Sequence, residues 1–477
     1  MNRASVTAMI AGIVMFVGLA AASAGAAGPA GSRVTPPAAP PCKSPYKKKT
    51  VPPKALQALV RAHERWVEDR NNPESRRAEL CQADLSRAAL AGTNLERAQL
   101  EGAVLRQANL YRASLALASL AGADLTRAVL EDSNLSGADL RRARLTGANL
   151  FRAIGDEAAL FNAVLVQARL QESSFERAQL EGADLSSADL TDGNFVDTYF
   201  YGAMLQGAVL SNTDLMGADL RRTNLTRANL YRANLQGTLL DSAQLYRAQL
   251  VEADLESAYL DEANLREANL REAILRGADL RYVNAQGATL HQADLEGANM
   301  EQTSLAKANL QSARLRMAIL YQALLDEADF RDAHLNRAVL IGARGSHTIF
   351  TNSDLSEIYA PKASLRHVRF NGAKLEAANL VGADLSGSDF TGANLTHANL
   401  QEANLRDATL AGADLSDARL DAADLSRANL RGATLSSVIG LTQAQLDTAC
   451  VDERTRLPGD LSRPAPCAPA KKKERRP

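Results

Sequence analysis

The stretch "ADLESAYLDEANLREANLREAILRGADL", Ala253 to Leu280, decides the fold. Leu stands at 255, 260, 265, 270, 275 and 280, which is every fifth residue. In one α-helix, five residues advance about 500°, so successive leucines would fall about 140° apart and share no stripe. In one straight strand, an odd spacing sends them to alternate faces, yet the residues between are mostly polar or charged. A chain that turns a corner every five residues resolves the conflict. Each Leu then points to one axis. Ala two positions earlier, as at Ala253, Ala258, Ala263 and Ala268, points inward beside it. The residue before each Leu and the two after it face solvent. Small Ala next to larger Leu predicts a narrow interior filled by side chains.

The frame begins near Leu80 and holds to Leu435, about 72 units. Phe takes the Leu place at 175, 195, 200, 330, 350, 370 and 390, and Met does so at 300. Gly155, Ala285, Gly345 and Ala360 are larger departures, and none shifts the frame. A chain of 477 residues could hold several globular domains, but the unbroken repeat predicts one elongated domain. Aromatic residues are 4%, too few for a conventional core of that size.

Segments such as "ADLSSADL", "GADLRRTNLTRANL" and "GANLTHANLQEANL" resemble the pentapeptide-repeat family, whose pattern is A(D/N)LXX. The resemblance covers about three quarters of the chain. It implies an all-β fold, a right-handed quadrilateral β-helix with four units per coil. About 18 coils stacked ~4.8 Å apart would give a rod ~85 Å long.

The ends differ from the repeat. Arg3, an apolar run from Ala8 to Ala22 and small residues at Ala22–Ala26 predict a secretory signal peptide over residues 1–26. An uncleaved anchor is the rival, disfavoured because the run is short for a membrane span. Residues 27–53 are rich in Pro, Ala and Lys and read as a linker. Residues 54–79 are expected to form an N-terminal capping helix, with Leu56, Leu59, Val60, His63 and Val67 on one face and Trp66 at its edge. The repeat domain runs over 80–440. In the C-terminal cap, 441–467, Thr442 and Gln445 form a capping box and Leu441 and Leu446 a staple, predicting a helix over about Gln443–Ala449. Residues 468–477 are a basic tail. Both caps would cover a coil whose leucines and backbone edge otherwise face water. "H..W" before the repeat and "GLTQ.QLD.AC..ERT.LP" after it also resemble end segments of that family.

Four cysteines, Cys42, Cys81, Cys450 and Cys467, allow three pairings in an oxidising compartment. Cys42–Cys81 and Cys450–Cys467 are the local choice and would tie each cap to its end. Free surface thiols are the alternative. The expected location is periplasmic or secreted.

The formal net charge is −1, but residues 80–440 carry 34 basic and 45 acidic side chains. Some members of the resembled family are acidic rods that occupy the DNA site of gyrase. Here the excess is thin and Arg is interleaved throughout. Up one side, Arg221, Asp241, Asp261, Arg281 and Glu301 follow at twenty-residue spacing, where opposite charges in adjacent coils should attract. No nucleic-acid partner is expected. The basic ends, 47–49 and 471–477, could touch an anionic surface, or simply aid solubility.

The sequence offers no phosphate loop, zinc spacing or nucleophile motif, and no cofactor is expected. "GARGSH" at 342–347 lacks a strand–turn–helix context. If four units make a coil, Glu327, His347 and His367 stack in one outward column. Such a column could take Zn²⁺ or Cu²⁺, or titrate as a pair, though an incidental polar column is the plainer reading. Tyr199 and Tyr201 flank buried Phe200 and could anchor a partner. Outward Val104, Val164, Met204 and Leu324 are too widely spaced to make one patch. The favoured function is a non-enzymatic exported scaffold that presents polar side chains to a protein or cell-envelope polymer. A DNA-mimicking inhibitor of an enzyme such as gyrase is the alternative.

Overall fold

The computed structural model describes residues 42–72 and 75–464. The chain divides into two units, residues 1–42 and 43–477. Only Cys42 of the first is described. The expected signal peptide over 1–26, most of the linker, Cys467 and the tail over 468–477 lie outside the described residues.

The second unit is a solenoid with the predicted five-residue side. Parallel bridges join each residue before the central Leu to the residue twenty positions on, from Asp84↔Val104 and Val104↔Asp124 to Arg419↔Ile439. Four pentads therefore close one coil. Among the described residues the bridges stay isolated and no continuous strand forms. The reason is local: each side gives two residues to a turn, leaving three between corners. The backbone is still paired from coil to coil. Leu85 N–H donates to Val104 C=O at 2.8 Å, and Val104 N–H to Ala83 C=O at 2.9 Å.

Nearly every corner is a four-residue turn closed by one hydrogen bond, such as Ala103 N–H to Leu100 C=O at 3.0 Å; at 365–368 the Val368 N–H donates to Ser388 Oγ instead. The third turn residue has positive φ at every fifth position from Gln82 (φ 55°) to Gly432 (φ 70°). Positive φ at the third residue alone is the type II signature.

The interior is the Ala/Leu column the period demands. Ala103, Leu105, Ala263 and Leu265 are at most 2% exposed. Each fully buried Leu contributes roughly 1.5–3 kcal/mol, so stability accumulates coil by coil. Phe330, Phe350, Phe370 and Phe390 stack along one corner at centroid separations of 4.8, 5.4 and 4.6 Å. Gly155 breaks the pattern because a Cβ there would collide with the Phe175 ring of the next coil. Inward hydroxyls bond to backbone carbonyls: Ser133 Oγ to Leu130 at 2.6 Å, Thr198 Oγ1 to Phe175 at 2.7 Å. Buried polar atoms therefore cost little here.

Both ends are covered. Helix α1, Pro53–Glu68, turns Leu56, Val60 and His63 inward. It stops short of the expected 54–79, because Glu79 already bridges to Gln99 in the first coil. Part of the expected linker is also structured. Lys48 N–H donates to Gln82 C=O, Val51 N–H donates to Asp84 C=O, and Thr50 bridges Asp84. Bonding groups on the first coil's edge give this segment a partner to pair with. At the other end, α2 spans Gln443–Leu446 with the expected capping box. It is shorter than Gln443–Ala449 because the chain resumes coil pairing, Cys450 with Asn429 and Arg456 with Thr434. Gln445 Nε2 donates to Leu420 and Ala423 carbonyls, both at 2.9 Å, fixing α2 over the last coil.

Candidate interaction surface

With four pentads per coil, outward residues twenty apart form vertical columns. Two charge arrangements recur. An Asp or Asn before the buried Leu accepts from the backbone N–H two residues on, as Asp184 does from Ser186 at 3.0 Å. Where that later residue is Arg, its guanidinium folds onto the same carboxylate. Arg141–Asp139 and Arg221–Asp219 lie at 2.6 Å, and Arg331 pairs with Asp329 in the same way. Other arginines, on the third turn residue, reach an acid in the adjacent coil: Arg152–Asp132, Arg232–Glu252 and Arg247–Glu267, each at 2.7 Å.

The expected ladder of Arg221, Asp241, Asp261, Arg281 and Glu301 is corrected by this geometry. Arg221 pairs with Asp219 and Arg281 with Asp279, both within their own coils. A carboxylate two residues away on the same rigid side is easier to reach than one a coil away. Asp241 and Asp261 are left as stacked neighbours. Burial and mutual repulsion push Asp241 above the usual carboxylate range; burial leads in raising Asp261. Asp261 Oδ1 has no hydrogen-bond partner.

Tyr199 and Tyr201 do face outward, 45% and 40% exposed. Tyr201 lies under Arg221 and Arg222, whose guanidinium carbons sit 5.9 and 5.8 Å from its ring centre. That ring is already partly engaged. His347 and His367 stack at 5.5 Å with an interplanar angle of 13°. Ring lone pairs then run side by side rather than converge, and Glu327 pairs with Lys307 at 3.8 Å. Nothing in this column gathers three ligands on one point. Cys42 and Cys81 are joined by a disulfide, one of the two expected pairs. Cys450 is also disulfide-bonded, and Cys467 lies outside the described residues.

A shallow open depression of about 540 Å³ lies at one corner near the N-terminal end. Arg87, Arg106 and Arg127 border it, but Arg106 is held by Asp124 at 2.6 Å and Arg87 by Gln107 at 3.1 Å.

One further surface escaped the sequence reading. In the column of Ile319, Val339 and Tyr359, each residue bridges the next in register. Around the adjoining corner stand Tyr321, Ile341, Pro361 and Val381. All seven are half-buried and turned outward, forming one contiguous apolar block. Their twenty-residue spacing hid them, because in the linear sequence each stands alone among polar neighbours.

These features define a parallel β-solenoid of five-residue sides with a dry core and a columnar surface. The family described as pentapeptide repeats (8 copies) matches segments from residue 83 to 436, including 83–120, 118–154, 194–230, 286–322 and 398–436. The chain belongs to the pentapeptide-repeat family. Among solved structures, it is 39% identical to HetL, a pentapeptide repeat protein involved in heterocyst differentiation regulation from the cyanobacterium Nostoc sp.. That match covers 47% of this chain and 88% of HetL, with a TM-score of 0.19. It is 18% identical to the plasmid-mediated fluoroquinolone resistance protein QnrB1 over 39% of this chain and 89% of that one (TM-score 0.24). It is also 18% identical to Rfr23 from the cyanobacterium Cyanothece over 36% and 90% (TM-score 0.15). Among curated proteins, none matches the chain.

Proposed function

We propose that this protein is a non-enzymatic exported scaffold. It is a right-handed quadrilateral β-helix, closed at both ends, that offers ordered columns of side chains to a protein or cell-envelope polymer. The observation that carries this reading is the register. The outward residue before each central Leu is bridged to its counterparts twenty residues away, and the turn residues are tied from coil to coil by backbone hydrogen bonds, so the surface is preorganised for binding. Membership in a family of repeat scaffolds agrees with it. Export is supported by the N-terminal sequence and by the Cys42–Cys81 disulfide.

The alternative, DNA mimicry, draws on the acidic excess of the repeat and on the resistance activity named for QnrB1. Against it, acids and arginines neutralise each other over 2–4 Å along the columns, leaving little long-range field. A fusion of the full chain to alkaline phosphatase decides the compartment. Activity outside the cytoplasm supports the scaffold. A cytoplasmic fusion, together with inhibition of gyrase supercoiling by the purified chain, would replace it with the mimic.

A further inference from the structure

The apolar block is flanked by charges whose order reverses across it. Three coils below Val339 and Ile341 stand Asp279 and Arg281. Three coils above Tyr359 and Pro361 stand Arg419 and Asp421. Each set is an ion pair within its own coil, at 2.7 and 3.4 Å. The lower pair reads acid then base; the upper reads base then acid.

We propose that this side of the solenoid binds a second copy of the same chain, antiparallel, about a two-fold axis passing between the coils of Val339 and Tyr359. Such an axis lies in the contact plane and brings each column against itself in reverse order. Asp279 then faces Arg419 of the other copy, and Arg281 faces Asp421. Val339 meets Tyr359, Ile341 meets Pro361, and Tyr321 meets Val381. On the neighbouring corner, Arg337 and Glu357, which pair at 3.1 Å in adjacent coils, meet each other's counterparts. One coil beyond the charged rim, Tyr259 meets Ile439, which is 50% exposed. No like charges meet across this register. Ile319 meets Asn379 at the edge of the block. Shifted one coil one way, Val339 would also face Asn379 and Arg281 would face Leu441; shifted the other way, the apolar contacts survive but Arg281 would face Gln401 and Asp261 would face Asp421, a like-charged pair.

An apolar centre with a complementary charged rim is the anatomy of a specific interface. A different protein would not require the block and its rim to share one centre. The proposal goes beyond the scaffold reading, which a monomeric rod would leave intact.

The test is light scattering and sedimentation of the purified full chain at micromolar concentration. The expected mass is twice the 50.9 kDa of one chain. Two half-inversions sharpen it: Asp279→Arg with Arg281→Asp, and Arg419→Asp with Asp421→Arg. Each keeps an ion pair inside its coil, but Asp279→Arg also removes the acceptor for the backbone N–H of residue 281, so thermal unfolding is recorded beside association and the first variant should melt only slightly lower. Alone, each sets like charges face to face and should weaken self-association by at least about tenfold. Mixed together, the two variants restore opposite charges at both rims and should associate like the wild type. A monomeric wild-type chain overturns the proposal and assigns the block to another protein. Undiminished association of either half-inversion, or no recovery on mixing, overturns it too.

Discussion

At the scale of single residues, the turn sets a rule that composition alone conceals. From position 82 to 432, every third turn residue has positive φ, and most are not glycine. Arg, Glu, Asp, Asn and Gln occupy these places, but Val, Ile and Thr never do. One position earlier, Thr126, Val166, Ile341 and Thr391 are all accepted. A branched Cβ clashes with the backbone in the left-handed region, where even an ordinary side chain costs roughly 1–2 kcal/mol. His291 and Gln292 make a clean comparison, since both are outward and neither has an ion pair. His291→Thr should leave thermal stability within about 0.5 kcal/mol of wild type. Gln292→Thr (φ 59° in the parent) should cost about 1–2 kcal/mol more in chemical denaturation. Equal costs would refute the turn assignment. Asp261 gives a second test. Its folded-state pKa is raised, so its ionisation weakens the fold as pH rises through that value. Asp261→Asn should therefore raise the melting temperature at pH 7 and have little effect near pH 3; a destabilised variant at pH 7 would contradict this. The inward Leu and Ala were legible in the sequence because period alone fixes them. Arg221 was not, because its pattern allows either Asp219 or Asp241 and only rotamer geometry chooses.

At the scale of elements, the caps show what spacing can and cannot reveal. The apolar face of α1 was readable from Leu56, Val60 and His63. The partner of His63 was not, since it lies fifteen residues on, past the end of α1. His63 Nδ1 accepts from Ala78 N–H at 3.0 Å, which requires that nitrogen to be unprotonated. Burial lowers its pKa to about 4. The unfolded chain protonates His63 near 6.5, while the folded cap resists until about 4. Stability supplied by the neutral ring is therefore complete above 6.5 and lost as pH falls from there to 4. The loss should reach ~2–3 kcal/mol, confined to the cap. Trp66, the chain's sole tryptophan, stacks on His63 at 5.5 Å, so its fluorescence reports the change. A falling protection factor for the Ala78 amide over the same pH range is the second readout. A His63 titration midpoint near 6.5 in the folded protein would sink this account.

At the scale of the whole solenoid, each coil touches only the coils above and below it, so cohesion is a sum of neighbouring interfaces. That construction explains why the linear sequence showed the architecture so plainly and the surface so poorly. Period and residue size specify the core, whereas the apolar block and its charged rims exist only once residues twenty apart are stacked. It also predicts how the molecule fails. Leu265 is 2% exposed near the middle of the repeat, with about nine coils on either side. Leu265→Asp buries a carboxylate with no partner, which costs several kcal/mol at that coil. Neighbouring coils lose one interface each, but distant coils keep all of theirs. The variant should therefore open locally, and brief trypsin treatment should yield two resistant fragments whose ends meet near residue 265. Arg266→Asp, one residue away on the surface, should give the wild-type digestion pattern. Thermal unfolding of Leu265→Asp should broaden into separate transitions for the two halves. A single sharp transition with uniform digestion would mean that cooperativity spans the entire rod, and the nearest-neighbour account of its stability would have to be abandoned.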